Sequence, residues 1–595
     1  MRRRDLIDVA LGREPADVLV EGGTLVNVWT AQLHPADVAV KGERIAAVGE
    51  DLEYAAGPGT RRVDARERFL VPGLVDGHLH HCHSALGVTE FAEALLRHGV
   101  TATADGFYGP GIVGGTAAVR AFKDAFDRLP LRLVFLVPVL AWLQNRELGL
   151  TPAPAISMRD MHEMLAWDGC HGLEEPSPAA IKEGFDELLE LFEATLAQRK
   201  VVTGHAAGLD ERTLQAYVCA GVSTDHETVS APEAVAKARL GLVQLARQGD
   251  PGCEDVPEVL RAHTEGGVSA DCFGMCSDLA APLKLVDEGT VDHGVRVAIE
   301  QGVDPVRAIQ MATLNTAEAL GAEPDIGSIA PGRFADLLLV DDLPALSVRE
   351  VVVGGETLVR DGVLERPLAP TEYAPELRNT VRVASRPTAD DFTVRVDSEA
   401  ERVEVRVIAV SDEGSLLTSP EGRAELAVVD GALQPDLEAD VLPIAIVDRL
   451  GKGTGTGLGF AHGFGLRRGA FASSVTAVTM NLVAVGASAR DMAVAVDRVV
   501  ELGGGRVVVD GGEVVAEVAL PVLGLHSDAP LDEVVEGHRR ALAATRALGC
   551  DLLDPLSQLE FCFACQDIGD LKLSEEGLVH VRPPDRVDLV LGPAA

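Results

Sequence analysis

The chain has 595 residues, a length that predicts three or four folding units rather than one. Hydrophobic residues make up 47% of it, enough for sizeable cores, so global disorder is set aside. The net charge is −40, from 92 acidic against 52 basic residues. That balance argues against nucleic acid, whose phosphates want Lys and Arg, and against an anionic membrane surface. It reads as a solvated acidic surface that aids solubility.

The chain begins Met1-Arg-Arg-Arg-Asp-Leu-Ile-Asp8, where Asp5 and Asp8 interrupt any apolar stretch of a secretory signal. Residues 16–50 alternate in short β-rich pieces separated by Gly-Gly and Lys-Gly-Glu turns. Similar material returns at Ala335–Val340 and Glu350–Glu356. Two β-rich flanks predict one small composite β-sandwich domain, built from residues 1–70 plus 331–362.

Residues 71–330 alternate apolar strands, such as Val100–Ala104, Leu133–Val139, Lys200–Gly204 and Val222–Thr224, with amphipathic helices at Glu90–His98, Phe185–Gln198 and Val291–Gln301. That alternation predicts an α/β fold, a (β/α)8 barrel of TIM type, with functional residues at the strand C-termini. The longest apolar run, Leu133–Leu143, is too short to span a bilayer and reads as a buried strand.

Residues 363–379 carry three Pro and little periodicity, and read as a linker. A C-terminal α+β domain follows over 380–595, with a half-buried strand at Glu401–Val407, a hairpin around Asp510-Gly-Gly512 and a helix over Asp532–Leu548. Lys452-Gly-Thr-Gly-Thr-Gly457 lacks the terminal Gly-Lys-Ser/Thr of a phosphate loop and reads as a flexible loop, a candidate lid over the barrel mouth. The nine cysteines have no repeated spacing. Cys562-Phe-Ala-Cys565 reads as buried thiols, and a reducing cytoplasm fits.

The most informative stretch is Val71-Pro-Gly-Leu-Val-Asp-Gly-His-Leu-His80. On an extended chain His78 and His80, two apart, point to one side, and two imidazoles aimed at one point bind a divalent metal. His205 ends the apolar run Val201-Val-Thr-Gly, His226 ends Gly221-Val-Ser-Thr-Asp, and Asp278 ends Cys272-Phe-Gly-Met-Cys-Ser. Four imidazoles and a carboxylate form a nitrogen/oxygen set suited to Zn, Mn or Fe. A metal there would make hydroxide available near neutral pH. Asp278 is then placed to take the water proton and pass it to a leaving nitrogen. The expected reaction is hydrolysis at an sp² carbon that bears nitrogen.

These residues bring a family into view. The chain resembles the adenine deaminase family of the amidohydrolase superfamily over nearly its full length. The resemblance rests on Pro72–His80, on Gly204-His-Ala-Ala-Gly-Leu209, on Ser223-Thr-Asp-His-Glu227, on Met311-Ala-Thr-Leu-Asn315, and on Gly463-Phe-Gly-Leu-Arg-Arg-Gly-Ala470. It implies a barrel with a composite β domain, a C-terminal domain typical of the family, and a divalent metal centre of His78, His80, His205, His226 and Asp278. It implies Asp278 and His226 as catalytic residues. Glu175 falls where the family has a Glu before Met-Asn and is a candidate substrate contact, with His83 and Tyr108 beside it. The partner is a small molecule, and a homo-oligomer such as a dimer is the expected state.

The chain departs from the family pattern around the site. The aliphatic residue and Glu-Ser-Ser after the HxH are replaced by His81-Cys82-His83-Ser84. If the strand continues, Cys82 becomes a further candidate ligand; if it turns, His81 or His83 can swing in. The family's Asp-Pro-His-Glu is Asp105-Gly-Phe-Tyr108, without the Glu read as metal-bridging, which favours one metal over two. Its Asp-Asp-Arg-His-Pro is Asp278-Leu-Ala-Ala-Pro282, and its His-Asp-Ser-His-Asn is Ala477-Val-Thr-Met-Asn481. Apolar groups thus stand where polar ones would read a purine. Three readings follow: deamination of adenine or a related aminated heterocycle, ring-opening of a cyclic amide at the same kind of centre, or a non-catalytic relative.

Overall fold

The computed structural model describes residues 2–153, 155–410, 419–564 and 568–594. Both β-rich flanks enter one nine-stranded sheet. They join where Leu337–Val340 pairs antiparallel with Phe69–Pro72. Alternate residues of these strands, among them Val38, Val40, Leu70, Leu337 and Leu339, pack into a shared core on one face.

Between the flanks, eight short parallel strands form the barrel: β1 (Leu74–Asp76), β2 (Val100–Asp105), β3 (Arg132–Pro138), β4 (Cys170–Glu174), β5 (Val201–Val202), β6 (Thr224–Asp225), β7 (Val243–Arg247) and β8 (Phe273–Cys276). Strands β1 to β5 pair in order, as do β6 to β8. The ring closes through a few backbone bonds between the two strand groups. Ser223 N donates to Val202 O between β5 and β6 at 3.0 Å, and Gly77 N donates to Met275 O between β8 and β1 at 3.0 Å. The three expected helices occupy Val88–Arg97, Asp186–Ala197 and Val291–Glu300.

The run Leu133–Leu143 is not one strand. β3 ends at Pro138, and Val139–Leu143 is a short helix. Proline has no N–H to continue the ladder, so the apolar sequence turns there while staying buried. Residues 363–379 are no free spacer either. Val88 N donates to the Tyr373 hydroxyl at 2.8 Å, and the Thr89 hydroxyl donates to Ala369 O at 3.1 Å, so the segment is fastened to a barrel helix.

The C-terminal domain is built on a ten-stranded sheet. The two-residue alternation of its strands sends Ala445, Val447, Val507 and Val509 toward the helix Ala489–Leu502. It sends Ile444, Ile446 and Val508 toward the helices Leu531–Ala547 and Pro555–Phe561. The expected hairpin is Gly505–Asp510 against Glu513–Ala519. Of the Cys562/Cys565 pair, Cys562 is buried and its thiol is pushed up to about 11 by burial; Cys565 lies outside the described residues. The candidate lid is anchored: Lys452 Nζ reaches Thr151 O at 2.9 Å and pairs with Glu575, and the strand Thr456–His462 starts directly afterwards.

The closest approach between barrel strands at a described glycine is at Gly172 in β4, where an added Cβ would lie 1.9 Å from Val201 O. Gly172→Ala should therefore force β4 and β5 apart at a cost of about 1–3 kcal/mol or more. Thermal unfolding followed by circular dichroism should show a lowered midpoint. Gly59→Ala, with nothing within 4 Å of its Cβ, should leave the midpoint unchanged.

Candidate metal centre

His78, His80, His205, His226 and Asp278 meet at the C-terminal rim of the barrel. β1 runs into Gly77, where an added Cβ would press on Met275 O at 2.9 Å and Thr316 Cγ2 at 2.8 Å. This close approach lets the following segment pair across the ring. His80 N donates to Asp278 O at 3.0 Å, and Asp278 N donates to His78 O at 2.8 Å. The Nε2 atoms of His78 and His80 come within 3.1 Å of each other. His205 follows β5, and its backbone N donates to the Tyr217 hydroxyl at 2.9 Å. His226 follows β6 and stacks on His78 with ring centroids 3.9 Å apart.

Glu175 lies at the centre of this group rather than at its edge. Its carboxylate oxygens lie 3.4 Å from His78 Nε2, 3.0 Å from His80 Nε2, 3.3 Å from His205 Nδ1 and 3.3 Å from His226 Nε2. The sequence suggested a substrate contact. The structure puts Glu175 among the donor atoms, because it directly follows β4 and its backbone turns inward at φ +25°. Among the described residues, four buried sets at this rim each bring three donor atoms within 4.8 Å of one another: His78–His80–Glu175, Glu175–His205–His226, His78–His226–Asp278 and His80–Asp105–Glu174. Glu175 belongs to two of them. The expectation of a single ion rested on a missing carboxylate after the second strand, and β4 supplies a carboxylate that could be shared by two ions.

Cys82 is not part of the cluster. Residues His81–His83 form a 3₁₀ turn instead of continuing the strand. Cys82 packs against Gly109 in the apolar core, and burial pushes its thiol well up. His83 does not reach the cluster. Its Nε2 pairs with the Tyr108 hydroxyl at 2.5 Å, and its ring lies 4.3 Å from that of Phe561. His81 stacks on His526 of the C-terminal domain at 4.3 Å. Tyr108 does border the cavity over the centre.

Two residues escaped the sequence reading. Arg247, at the end of β7 and fully buried, donates from Nη1 to Asp278 Oδ2 at 3.0 Å and lies 2.8 Å from Glu227 Oε1. Its Nε binds Asp255 at 2.6 Å. Arg247 therefore holds one Asp278 oxygen, while Oδ1 stays 3.7–3.8 Å from His80 and His78 Nε2. Glu227 borders the cavity beside His205 and His226. The signals were present: each residue ends or follows a barrel strand.

The electrostatics ask for a cation. Burial opposes a charge on His80, but the Glu175, Glu174 and Asp278 carboxylates outweigh it and raise the imidazole to about 10. Burial, and then neighbouring His78, hold His226 down at about 4. Burial would raise Asp278, yet His226 and Arg247 win and its carboxyl is lowered. Glu175 Oε1 and His226 Nε2 are buried and make no well-directed hydrogen bond. Lone pairs crowded together in this way, on borderline nitrogen and hard oxygen donors, fit a divalent transition metal.

Comparison with known proteins places these features. Residues 69–358 match the amidohydrolase family, and residues 416–584 match the adenine deaminase C-terminal domain. The chain is 38% identical to adenine deaminase 3 of Rhizobium meliloti over 594 residues, covering 98% of each. It is 35% identical to adenine deaminase of Moorella thermoacetica, covering 99% of this chain and 98% of that one. A solved adenosine deaminase from Xanthomonas campestris with bound zinc is similar over 59% of this chain and 95% of its own, with 18% identity and a TM-score of 0.45. The full-length likeness to the curated relatives, carried through both matched domains, makes this chain a member of the adenine deaminase family of metal-dependent amidohydrolases.

Proposed function

We propose that this protein hydrolyses the exocyclic C–N bond of adenine or a related aminated heterocycle. The observation that carries this reading is the convergence of four imidazoles, Glu175 and Asp278 under a closed cavity. His78, His80 and Asp278 would hold a divalent ion on one side, and His205 and His226 on the other, with Glu175 available to both. Zn, Mn and Fe suit the donor set. When bound, the metal supplies the Lewis acidity that makes water nucleophilic near neutral pH.

The chain's own groups do the rest. Asp278, steadied by Arg247 through Oδ2, has Oδ1 free to accept the proton of the attacking water and return it to the departing nitrogen. A C–O bond forms at the ring carbon, the C–N bond breaks, and ammonia leaves. Glu227 and Tyr108, on the cavity wall, are placed to hold the polar edge of the substrate. Closure of the cavity by the C-terminal domain excludes bulk water. Ring-opening of a cyclic amide uses the same groups and is the second reading. A small-molecule substrate, a cytoplasmic setting and a homo-oligomer complete the proposal.

Metal content tests the ligand set. Glu175→Gln, His205→Ala and Asp278→Ala should each purify with less bound metal than the wild type by elemental analysis, with an unchanged circular dichroism spectrum. Asp278→Asn should retain metal better than Asp278→Ala and still lose about 10²–10⁴-fold in kcat. The wild-type metal-loaded protein should release one ammonia for each molecule of an aminated heterocycle consumed. Turnover of a cyclic amide with no ammonia from any aminated heterocycle would shift the assignment to the second reading.

A further inference from the structure

An imidazole that binds a metal through one ring nitrogen carries its proton on the other, and that N–H needs an acceptor. His80 commits Nε2 to the centre. It lies 3.0 Å from Glu175, 3.1 Å from His78 Nε2 and 3.7 Å from Asp278 Oδ1. Nδ1 is the nitrogen left over. It is buried and makes no hydrogen bond among the described residues.

His80 has a second set of neighbours. One of its ring nitrogens, an Asp105 oxygen and a Glu174 oxygen all lie within 4.8 Å of one another. Asp105 closes β2, Glu174 closes β4, and both are buried. Asp105 uses both oxygens on the backbone: Oδ1 accepts from Phe107 N at 2.7 Å and Oδ2 from His81 N at 3.0 Å. Glu174 uses only one. Its Oε1 accepts from Gly106 N at 2.7 Å, while Oε2 is buried and has no hydrogen-bond donor among the described residues. Gly106 makes room for that oxygen, because an added Cβ there would lie 2.6 Å from it. A buried acceptor and a buried N–H are each costly alone and complementary together.

We propose that Glu174 is a positioning residue for the metal centre. Through Oε2 it accepts the Nδ1–H of His80, directly or through one water, and so fixes the tautomer that aims the Nε2 lone pair at the ion. This rests on the proposed ion held by His78, His80 and Asp278, and it names what orients one of its ligands. A carboxylate behind a ligating histidine also raises its basicity, and losing such a partner typically costs about 10–100-fold in metal affinity or activity. Two consecutive carboxylates thus serve opposite ends of one imidazole: Glu175 on the side of the ion, Glu174 behind the ring.

Glu174→Gln tests this, because it keeps the shape and the acceptor for Gly106. With Oε1 held by that N–H, the amide presents its NH₂ group where Oε2 stood, and two donors meet at His80 Nδ1. Mn²⁺ titrated into the metal-free full chain by calorimetry should bind about 10–100-fold more weakly than to the wild type. The loss should fall on the His78 and His80 side, with the His205 and His226 side filling as in the wild type. The thermal unfolding midpoint in chelator should not fall. Asp105→Asn gives the contrast: its amide must turn a donor toward a backbone N–H, so its midpoint in chelator should drop. Wild-type Mn²⁺ affinity in Glu174→Gln overturns the proposal. So does an equal loss on both sides with a lowered midpoint, which marks general damage. A wild type that takes up neither Mn²⁺ nor Zn²⁺ sinks the metal centre itself, and this proposal with it.

Discussion

Everything at the centre depends on how the barrel closes. Two backbone hydrogen bonds, His80 N to Asp278 O and Asp278 N to His78 O, tie segments 200 residues apart into one short parallel ladder. Asp76 reinforces the seam by accepting from Ser277 N at 3.0 Å and from its hydroxyl at 2.5 Å. These bonds bring the two HxH imidazoles and the Asp278 carboxylate to the same spot. Gly77 permits the approach, because any side chain there would collide with β8.

The functional side chains are presented at a conformational cost. Glu175 and Asp278 both have positive φ, at +25° and +61°, where L residues with side chains are strained. The packed barrel supplies the restraint that keeps them there. Collecting Glu174, Glu175, Asp278, Glu227 and Asp105 in a buried rim costs further free energy through desolvation. Arg247 balances two of these carboxylates, and a divalent metal held there would provide the charge that the imidazoles otherwise gain from protons. The seam and the ion-binding cluster are therefore one construction, with backbone closure on the inside and charge compensation toward the cavity.

The C-terminal domain completes the site. It turns an open barrel mouth into a small enclosed cavity and sets the chemistry of its outer wall. The contact between domains is polar as well as apolar: His526 and Ser527 bond the backbone carbonyls of Leu86 and Ala85 at 3.1 and 2.8 Å. These bonds fasten the turn that follows His83, so the unusual His81-Cys82-His83 run serves the join between domains. His81 lies against His526, and His83 lies under Phe561.

What the sequence determined by itself was the set of strand ends. Period-two and strand–helix patterns are local, and a His or Asp that closes an apolar run can be read without knowing its neighbours; His78, His80, His205, His226 and Asp278 were found that way. Glu175 was visible as a candidate substrate contact, but its place among the imidazoles was not, because that depends on a turn after β4 and on the approach of separate loops. Arg247 and Glu227 were invisible as partners, since a guanidinium bridging two carboxylates is a contact between three different strand ends. Cys82 looked like a ligand only while the strand was assumed to continue, and the 3₁₀ turn removed it. The C-terminal domain's share of the cavity wall was decided by tertiary structure alone: which residues of a distant domain face the metal centre depends on how two domains pack, and no local pattern encodes that.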